Sequence, residues 1–127
     1  MSAPIVLVVD DEEYIVRILT FAMRAEGWHV ATASNGEEAL KQVERKKPDL
    51  VVLDLMMPII DGYQVLKRLR GDHGTRELPV IVLSAKGRDF DRDAALELGA
   101  DDYFTKPFSP QRLVERIQGF FAAAGTG

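Results

Sequence analysis

The chain has 127 residues, 46% of them hydrophobic and 28% charged, the size and composition of one soluble globular domain. It has no cysteine, which excludes disulfide frameworks, thiolate metal sites and cysteine nucleophiles, and no apolar run nears the roughly 20 residues of a membrane-spanning helix. Sixteen basic against twenty acidic residues leave a net charge of −4, which opposes non-specific attraction to nucleic-acid phosphates and points to chemistry built on oxygen ligands.

Five short apolar runs, residues 4–9, 28–33, 50–53, 80–83 and 103–105, are bounded by turn or breaker residues. Ile5-Val6-Leu7-Val8-Val9 and Val80-Ile81-Val82-Leu83 are continuous rather than alternating and rich in β-branched residues, the pattern of strands covered on both faces. The second run includes His29 and Thr32, which suits an edge strand. Helical periodicity fills the gaps. Ile15, Ile18, Leu19, Ala22 and Met23 trace a first helix that Gly27 ends. Ser34-Asn35-Gly36-Glu37 reads as a capping box, with Ser34 as N-cap of a second helix carrying Ala39, Leu40 and Val43. Asp61 caps a third, with Val65, Leu66 and Leu69, closed by Gly71. Ala94, Ala95 and Leu98 mark a fourth helix, ended by Gly99. Ser109 followed by Pro110 opens a fifth, faced by Leu113, Ile117, Phe120 and Phe121, beyond which residues 122–127 form a small-residue tail. The order βα repeated five times predicts a parallel sheet with helices on both faces.

Polar residues gather where these strands end: Asp10-Asp11 after the first, Asp54 after the third, Ser84 after the fourth and Lys106 after the fifth. Open α/β sheets bind ligands at that edge. Two unit charges about 4 Å apart at an effective dielectric of about 20 interact by roughly 4 kcal/mol, so three converging carboxylates require protonation or a cation. Few protein oxygens in an open site suit Mg²⁺. Carboxylates, divalent metal, ammonium and hydroxyl around one position describe phosphoryl transfer to a carboxylate, with Asp54 as nucleophile.

Asp10-Asp11, Asp54 with Met57-Pro58-Ile59-Ile60-Asp61-Gly62, Ser84-Ala85, and Tyr103-Phe104-Thr105-Lys106-Pro107-Phe108 resemble the receiver domain of two-component response regulators, over about residues 5–121. The resemblance implies a flavodoxin-like, doubly wound five-stranded parallel sheet of order 2-1-3-4-5, in a single domain spanning 1–127 with no output domain in the chain. It makes Asp54 the residue phosphorylated by a sensor histidine kinase or phosphotransfer protein. Mg²⁺, or Mn²⁺ in its place, would be held by Asp11, Asp54 and the backbone carbonyl of Met56, with Asp10 helping through water. Lys106 would pair with the phosphoryl group, Ser84 would move to hydrogen-bond it, and Tyr103 would swing inward as Ser84 moves. The Lys106–Pro107 bond is expected to be cis. Met56 and Lys86 stand where such domains vary their dephosphorylation rate.

On this reading the protein is a cytoplasmic signalling domain, not a turnover enzyme, and catalyses only its own phosphorylation and dephosphorylation. It binds neither nucleic acid nor membrane and controls a downstream protein or output domain through helix four, strand five and helix five. Gly99-Ala100-Asp101-Asp102-Tyr103 also resembles the transcription-factor branch of the family, in which Arg92, Asp101, Asp102 and Arg116 would pair two copies through that face. Arg112 stands where that branch has an acidic residue, which removes a partner for Arg92.

Simpler readings compete. An isolated Asp pair more often caps a helix than binds metal, and Lys106 alone would be a solvated lysine. A haloacid-dehalogenase-like phosphatase also uses a strand-end Asp, but it needs two Asp residues one apart, a spacing that Asp10-Asp11-Glu12 lacks. A flavodoxin-type nucleotide binder needs a Gly/Ser/Thr-rich loop after strand one, where this chain has Asp-Asp-Glu-Glu. A receiver that docks without phosphorylation is the remaining alternative, and the intact acceptor set argues against it.

Overall fold

A computed structural model describes residues 3–85 and 88–125 of the chain. Ten elements alternate in order: β1 (Ile5–Val9), α1 (Glu13–Ala25), β2 (His29–Ala33), α2 (Gly36–Lys46), β3 (Leu50–Asp54), α3 (Gly62–Gly71), β4 (Val80–Ala85), α4 (Asp89–Glu97), β5 (Asp102–Lys106) and α5 (Pro110–Ala123). The strands form one parallel sheet in the order β2-β1-β3-β4-β5, a flavodoxin-like arrangement.

The continuous apolar runs now have their reason. Strand side chains alternate between faces, so a strand covered on both sides has to be apolar at every position. Leu7, Val9, Val51, Leu53, Val80 and Val82 face one core with Ala39 and Val43 of α2, Val65, Leu66 and Leu69 of α3, and Ala95 of α4. Val6, Val8, Leu50, Val52, Ile81 and Leu83 face the other with Ile15, Leu19 and Met23 of α1 and Leu113, Val114, Ile117 and Phe121 of α5. Each fully buried Leu, Ile or Val contributes roughly 1.5–3 kcal/mol relative to exposure. Trp28, read as part of the second strand, instead precedes it and packs edge-on against Phe121, ring centroids 5.1 Å apart.

The caps follow expectation at α3 and α5. Asp61 and Gln64 form a reciprocal capping box, and Ser109 accepts from the Arg112 N–H with Pro110 in the first turn. At α2 the expected Ser34 cap is wrong: Asn35 is the N-cap and its side chain accepts from the Glu38 N–H at 2.8 Å. The helix begins one residue later because its first turn is pressed against the β3–α3 loop. A Cβ on Gly36 would lie 2.0 Å from the Ile60 carbonyl oxygen, so only glycine fits there. Gly71 is the last residue of α3 and not its cap, because Asp72 beyond it is already extended. No helix among the described residues is long and apolar enough to cross a membrane.

Candidate functional site

The carboxyl edge of the sheet brings together the residues singled out above. Asp10 follows β1, Asp54 ends β3, and both are buried, whereas Asp11 is exposed at the mouth. One oxygen from each of Asp10, Asp11 and Asp54 lies within 4.8 Å of the others. Gly62 fixes this geometry: a Cβ there would stand 2.4 Å from the Asp54 carbonyl oxygen, so α3 can start against the strand end that carries Asp54 only with glycine in place. The Met56 N–H donates to Asp54 Oδ1 at 3.2 Å, while the Met56 side chain points to solvent.

Lys106 is the cation of the site, its side chain mostly buried. Its Nζ lies 2.6 Å from Glu12 Oε1, 2.8 Å from Asp10 Oδ2 and 3.5 Å from Asp54 Oδ2. The peptide bond from Lys106 to Pro107 is cis, as expected. Burial alone would lower the lysine pKa, but the nearby carboxylates of Asp10, Glu12 and Asp54 outweigh it and raise the value. Asp54 is pushed up to about 7, first by burial and then by the Asp10 charge, against the pull of Lys106 and the Met56 N–H. One ammonium therefore faces more negative charge than it can balance.

That imbalance is a test of whether a cation fits. Asp10 Oδ1 accepts the Glu12 N–H, but buried Oδ2 has only the ionic contact to Lys106 and no aligned donor among the described residues. Three clustered carboxylates that share one ammonium are a donor set for a hard divalent cation, and the acidic cluster can hold a metal.

Ser84 is fully buried within β4, opposite Thr105 of β5. Its hydroxyl donates to the Tyr103 hydroxyl at 2.9 Å, and the Thr105 hydroxyl donates to the same oxygen at 3.1 Å. Tyr103 is half-buried against the core, so its ring already points inward, whereas the resemblance implied an inward swing only as Ser84 moves.

Every residue proposed for the site is thus at one edge, apart from Lys86, which lies outside the described residues. Glu12 was missed. It stood in the sequence as part of an acidic run, and nothing in one dimension shows that it reaches Lys106, 94 residues away. Asp101, expected on a pairing face, is exposed and also makes contacts within its own chain: it accepts from Arg70 at 3.0 Å and from the Val80 N–H at 2.8 Å. Asp102 pairs with Arg116 of the same chain, and Arg92 lies 3.6 Å from its neighbour Asp93.

Comparison with known proteins agrees with this geometry. Residues 6–118 match the family model of the response regulator receiver domain. The chain belongs to that family. It is 51% identical over 113 residues, 89% of this chain and 46% of the relative, to the alkaline phosphatase synthesis transcriptional regulatory protein PhoP of Bacillus subtilis. The receiver domain of Francisella response regulator 1452 superposes with a TM-score of 0.88 at 36% identity, covering 95% of this chain and 98% of that one. Chemotaxis response regulator CheY4 of Vibrio cholerae gives 0.85 at 26% identity, over 92% and 98%. The chain spans about half the length of the curated relatives it matches. As a receiver domain it is a component of two-component signalling, a family in which phosphorylation and Mg²⁺ binding are general.

Proposed function

We propose that Asp54 of this receiver accepts a phosphoryl group from the phosphohistidine of a sensor kinase or phosphotransfer protein. An Asp54 carboxylate oxygen forms the new P–O bond as the P–N bond breaks, and the departing imidazole nitrogen takes up the electron pair. The observation that carries this reading is the excess of buried carboxylate around a single lysine, with a hydroxyl one strand away. Asp11, Asp54, the Met56 carbonyl and, through water, Asp10 would hold Mg²⁺. When bound, the ion supplies positive charge beside the transferring oxygens.

The rest is supplied by the chain. Lys106 Nζ, between Asp10 and Asp54, is placed to pair with a phosphoryl oxygen. The same ammonium favours the ionised, nucleophilic form of Asp54 against the effect of burial. The Ser84 hydroxyl can donate its hydrogen bond to a phosphoryl oxygen in place of the Tyr103 hydroxyl. The domain acts as a phosphoacceptor in the cytoplasm, with no chemistry beyond its own phosphorylation and hydrolysis, and its α4–β5–α5 face carries the signal to a partner or output domain.

Incubation with Mg²⁺ and a small acyl phosphate tests this directly. The chain gains one alkali-labile phosphate, Asp54→Asn gains none, and chelation of the metal abolishes the gain. Equal labelling of the Asn variant would sink the assignment.

A further inference from the structure

The sheet has two outer strands, and they are built differently. β5 carries Asp102 and Lys106, both held by ionic partners of the same chain. β2 reads His29-Val30-Ala31-Thr32-Ala33, with no carboxylate, lysine or proline, so it lacks the devices that commonly keep a strand edge from pairing. In its ladder with β1 the His29 N–H donates to the Pro4 carbonyl, and the Ala33 carbonyl accepts from the Asp10 N–H. Alternate residues of a strand turn their N–H and C=O to the same side. His29, Ala31 and Ala33 therefore serve β1, while Val30 and Thr32 turn theirs away from the sheet. An open groove follows this edge between α1 and α2, lined by Arg24, His29, Val30, Thr32, Gln42 and Lys46.

The charges beside the groove are sorted by end. Glu38, Gln42 and Lys46 are four apart and share one side of α2. Glu13 and Arg24, about three turns apart, share one side of α1. Both helices run opposite to the strands, so each has its acid at the Ala33 end of β2 and its base at the His29 end. All four charges are exposed. Among the described residues Arg24, Glu38 and Lys46 have no ion-pair partner, and Glu13 has only Arg17, at 4.0 Å. A strand laid antiparallel to β2, with helices charged in the same order, would bring base to acid on both flanks. A second copy of this chain has that order.

We propose that two copies of the chain pair antiparallel through β2, about a two-fold axis at Ala31, and so join their sheets. Val30 of each copy exchanges N–H···O=C bonds with Thr32 of the other. The two Ala31 residues face each other across the axis as a pair without hydrogen bonds, whose Cα atoms lie about 4.5 Å apart, close enough to favour a small side chain. Glu38 of one copy meets Lys46 of the other on the α2 side, and Glu13 meets Arg24 on the α1 side. The contact is self-complementary and closes as a dimer. It does not depend on phosphorylation of Asp54, and it leaves the α4–β5–α5 face open at the far end of each sheet.

Sedimentation velocity of the unphosphorylated chain across micromolar concentrations tests this, with the mass doubling as concentration rises. Thr32→Pro removes an outward N–H and no bond to β1, a place where edge strands admit proline, and stays monomeric throughout. Glu38→Lys raises the dissociation constant about tenfold, and adding Lys46→Glu brings it back to within about twofold of wild type. The chain has no cysteine, so Ala31→Cys supplies a single thiol at the axis. Mild oxidation links it into a dimer, since Cα atoms about 4.5 Å apart are within disulfide reach, whereas Lys67→Cys on the exposed face of α3 stays unlinked. Thermal melting shows which variants are folded; if Thr32→Pro is not, the charge exchange and the Ala31 link decide alone. A wild type that is monomeric at every concentration overturns the proposal. So does a dimer that survives in folded Thr32→Pro, a Glu38→Lys variant that associates like wild type, or a double reversal that fails to restore association. Linkage at Lys67 as complete as at Ala31, or none at Ala31, overturns it as well.

Discussion

Two largely buried cations bridge distant parts of this chain, and they are balanced very differently. Arg70 of α3 donates to the carbonyls of Gly99 at 2.9 Å and Leu78 at 2.8 Å, and pairs with Asp101 at 3.0 Å. One guanidinium thus meets one carboxylate and backbone oxygens that its planar fork can satisfy. Lys106 meets Asp10, Glu12 and Asp54, with Asp11 beside them, and cannot neutralise them. Arg70 closes the loops around α4 and the start of β4 into a scaffold. Lys106 sits in a site whose charges oppose one another. Electrostatic satisfaction therefore separates the part of the molecule that holds the fold from the part proposed to take up a phosphoryl group.

The contrast is broken most severely by removing Arg70. Arg70→Met keeps the apolar stem but takes the guanidinium donor from the Gly99 and Leu78 carbonyls and leaves Asp101 with the Val80 N–H alone. Gly99 itself lies against the arginine, since a Cβ there would come 2.9 Å from Nε. A loss of about 2–4 kcal/mol in unfolding free energy by urea titration is expected. Phosphate uptake by the folded fraction should be unchanged. A loss under about 0.5 kcal/mol would show that these contacts are replaced by water and carry no scaffold role.

The two cations were also unequally legible. Lys106 could be placed because a strand end is a position that sequence patterning locates, and four strand ends delivered polar groups to one edge. Arg70 lay in the polar face of a helix, and its partners are backbone carbonyls, which leave no trace in residue types. Tyr63, Arg88 and Asp91 illustrate the same limit. Asp91 is buried and accepts hydrogen bonds from the Tyr63 hydroxyl and from Arg88, which links α3 to α4. Nothing in the periodicity of α4 sets Asp91 apart from the neighbouring acidic residues. The Ser34 cap failed for a related reason: a tertiary contact at Gly36, which the sequence does not display, sets where the helix begins and puts the cap at Asn35.

The reactive edge should behave in the opposite way to Arg70, since removing its charge relieves it. Asp54 has its pKa raised from 3.8 to about 7 in the fold, so between those values the native state binds more protons than the unfolded chain. Its contribution to stability therefore falls as pH rises through that window, and above about 7 the fold carries the full cost of an ionised Asp54. Asp54→Asn removes the cost. With chelator present, the variant should exceed wild type by roughly 1–3 kcal/mol above pH 7, the gain shrinking toward zero near pH 4. Urea midpoints measured across pH 4–8 decide it. A variant less stable than wild type at pH 7.5 would mean that Lys106 already compensates the carboxylate.

Glu12 touches the same ammonium and should show the reverse pH dependence at a smaller amplitude. Its pKa is lowered from 4.5, first by the hydrogen bond to Lys106, with burial opposing. A depressed carboxylate stabilises the fold above its unfolded pKa and loses that contribution as pH falls through the folded value. Its side chain is 43% exposed, so solvent screens most of the interaction. Glu12→Gln is expected to lower stability by about 0.2–1 kcal/mol at pH 7, with the difference vanishing as acid protonates the carboxylate in the fold as well as in the unfolded chain. The two variants thus diverge from wild type in opposite directions as pH rises, although both remove a carboxylate from one lysine. Burial is what distinguishes them: at the rim the carboxylate keeps its water and profits from the cation, whereas at the floor Asp54 has lost that water and also faces Asp10. If Glu12→Gln instead gains stability with rising pH, as Asp54→Asn should, repulsion extends to the rim and Glu12 belongs with the opposed charges of the site.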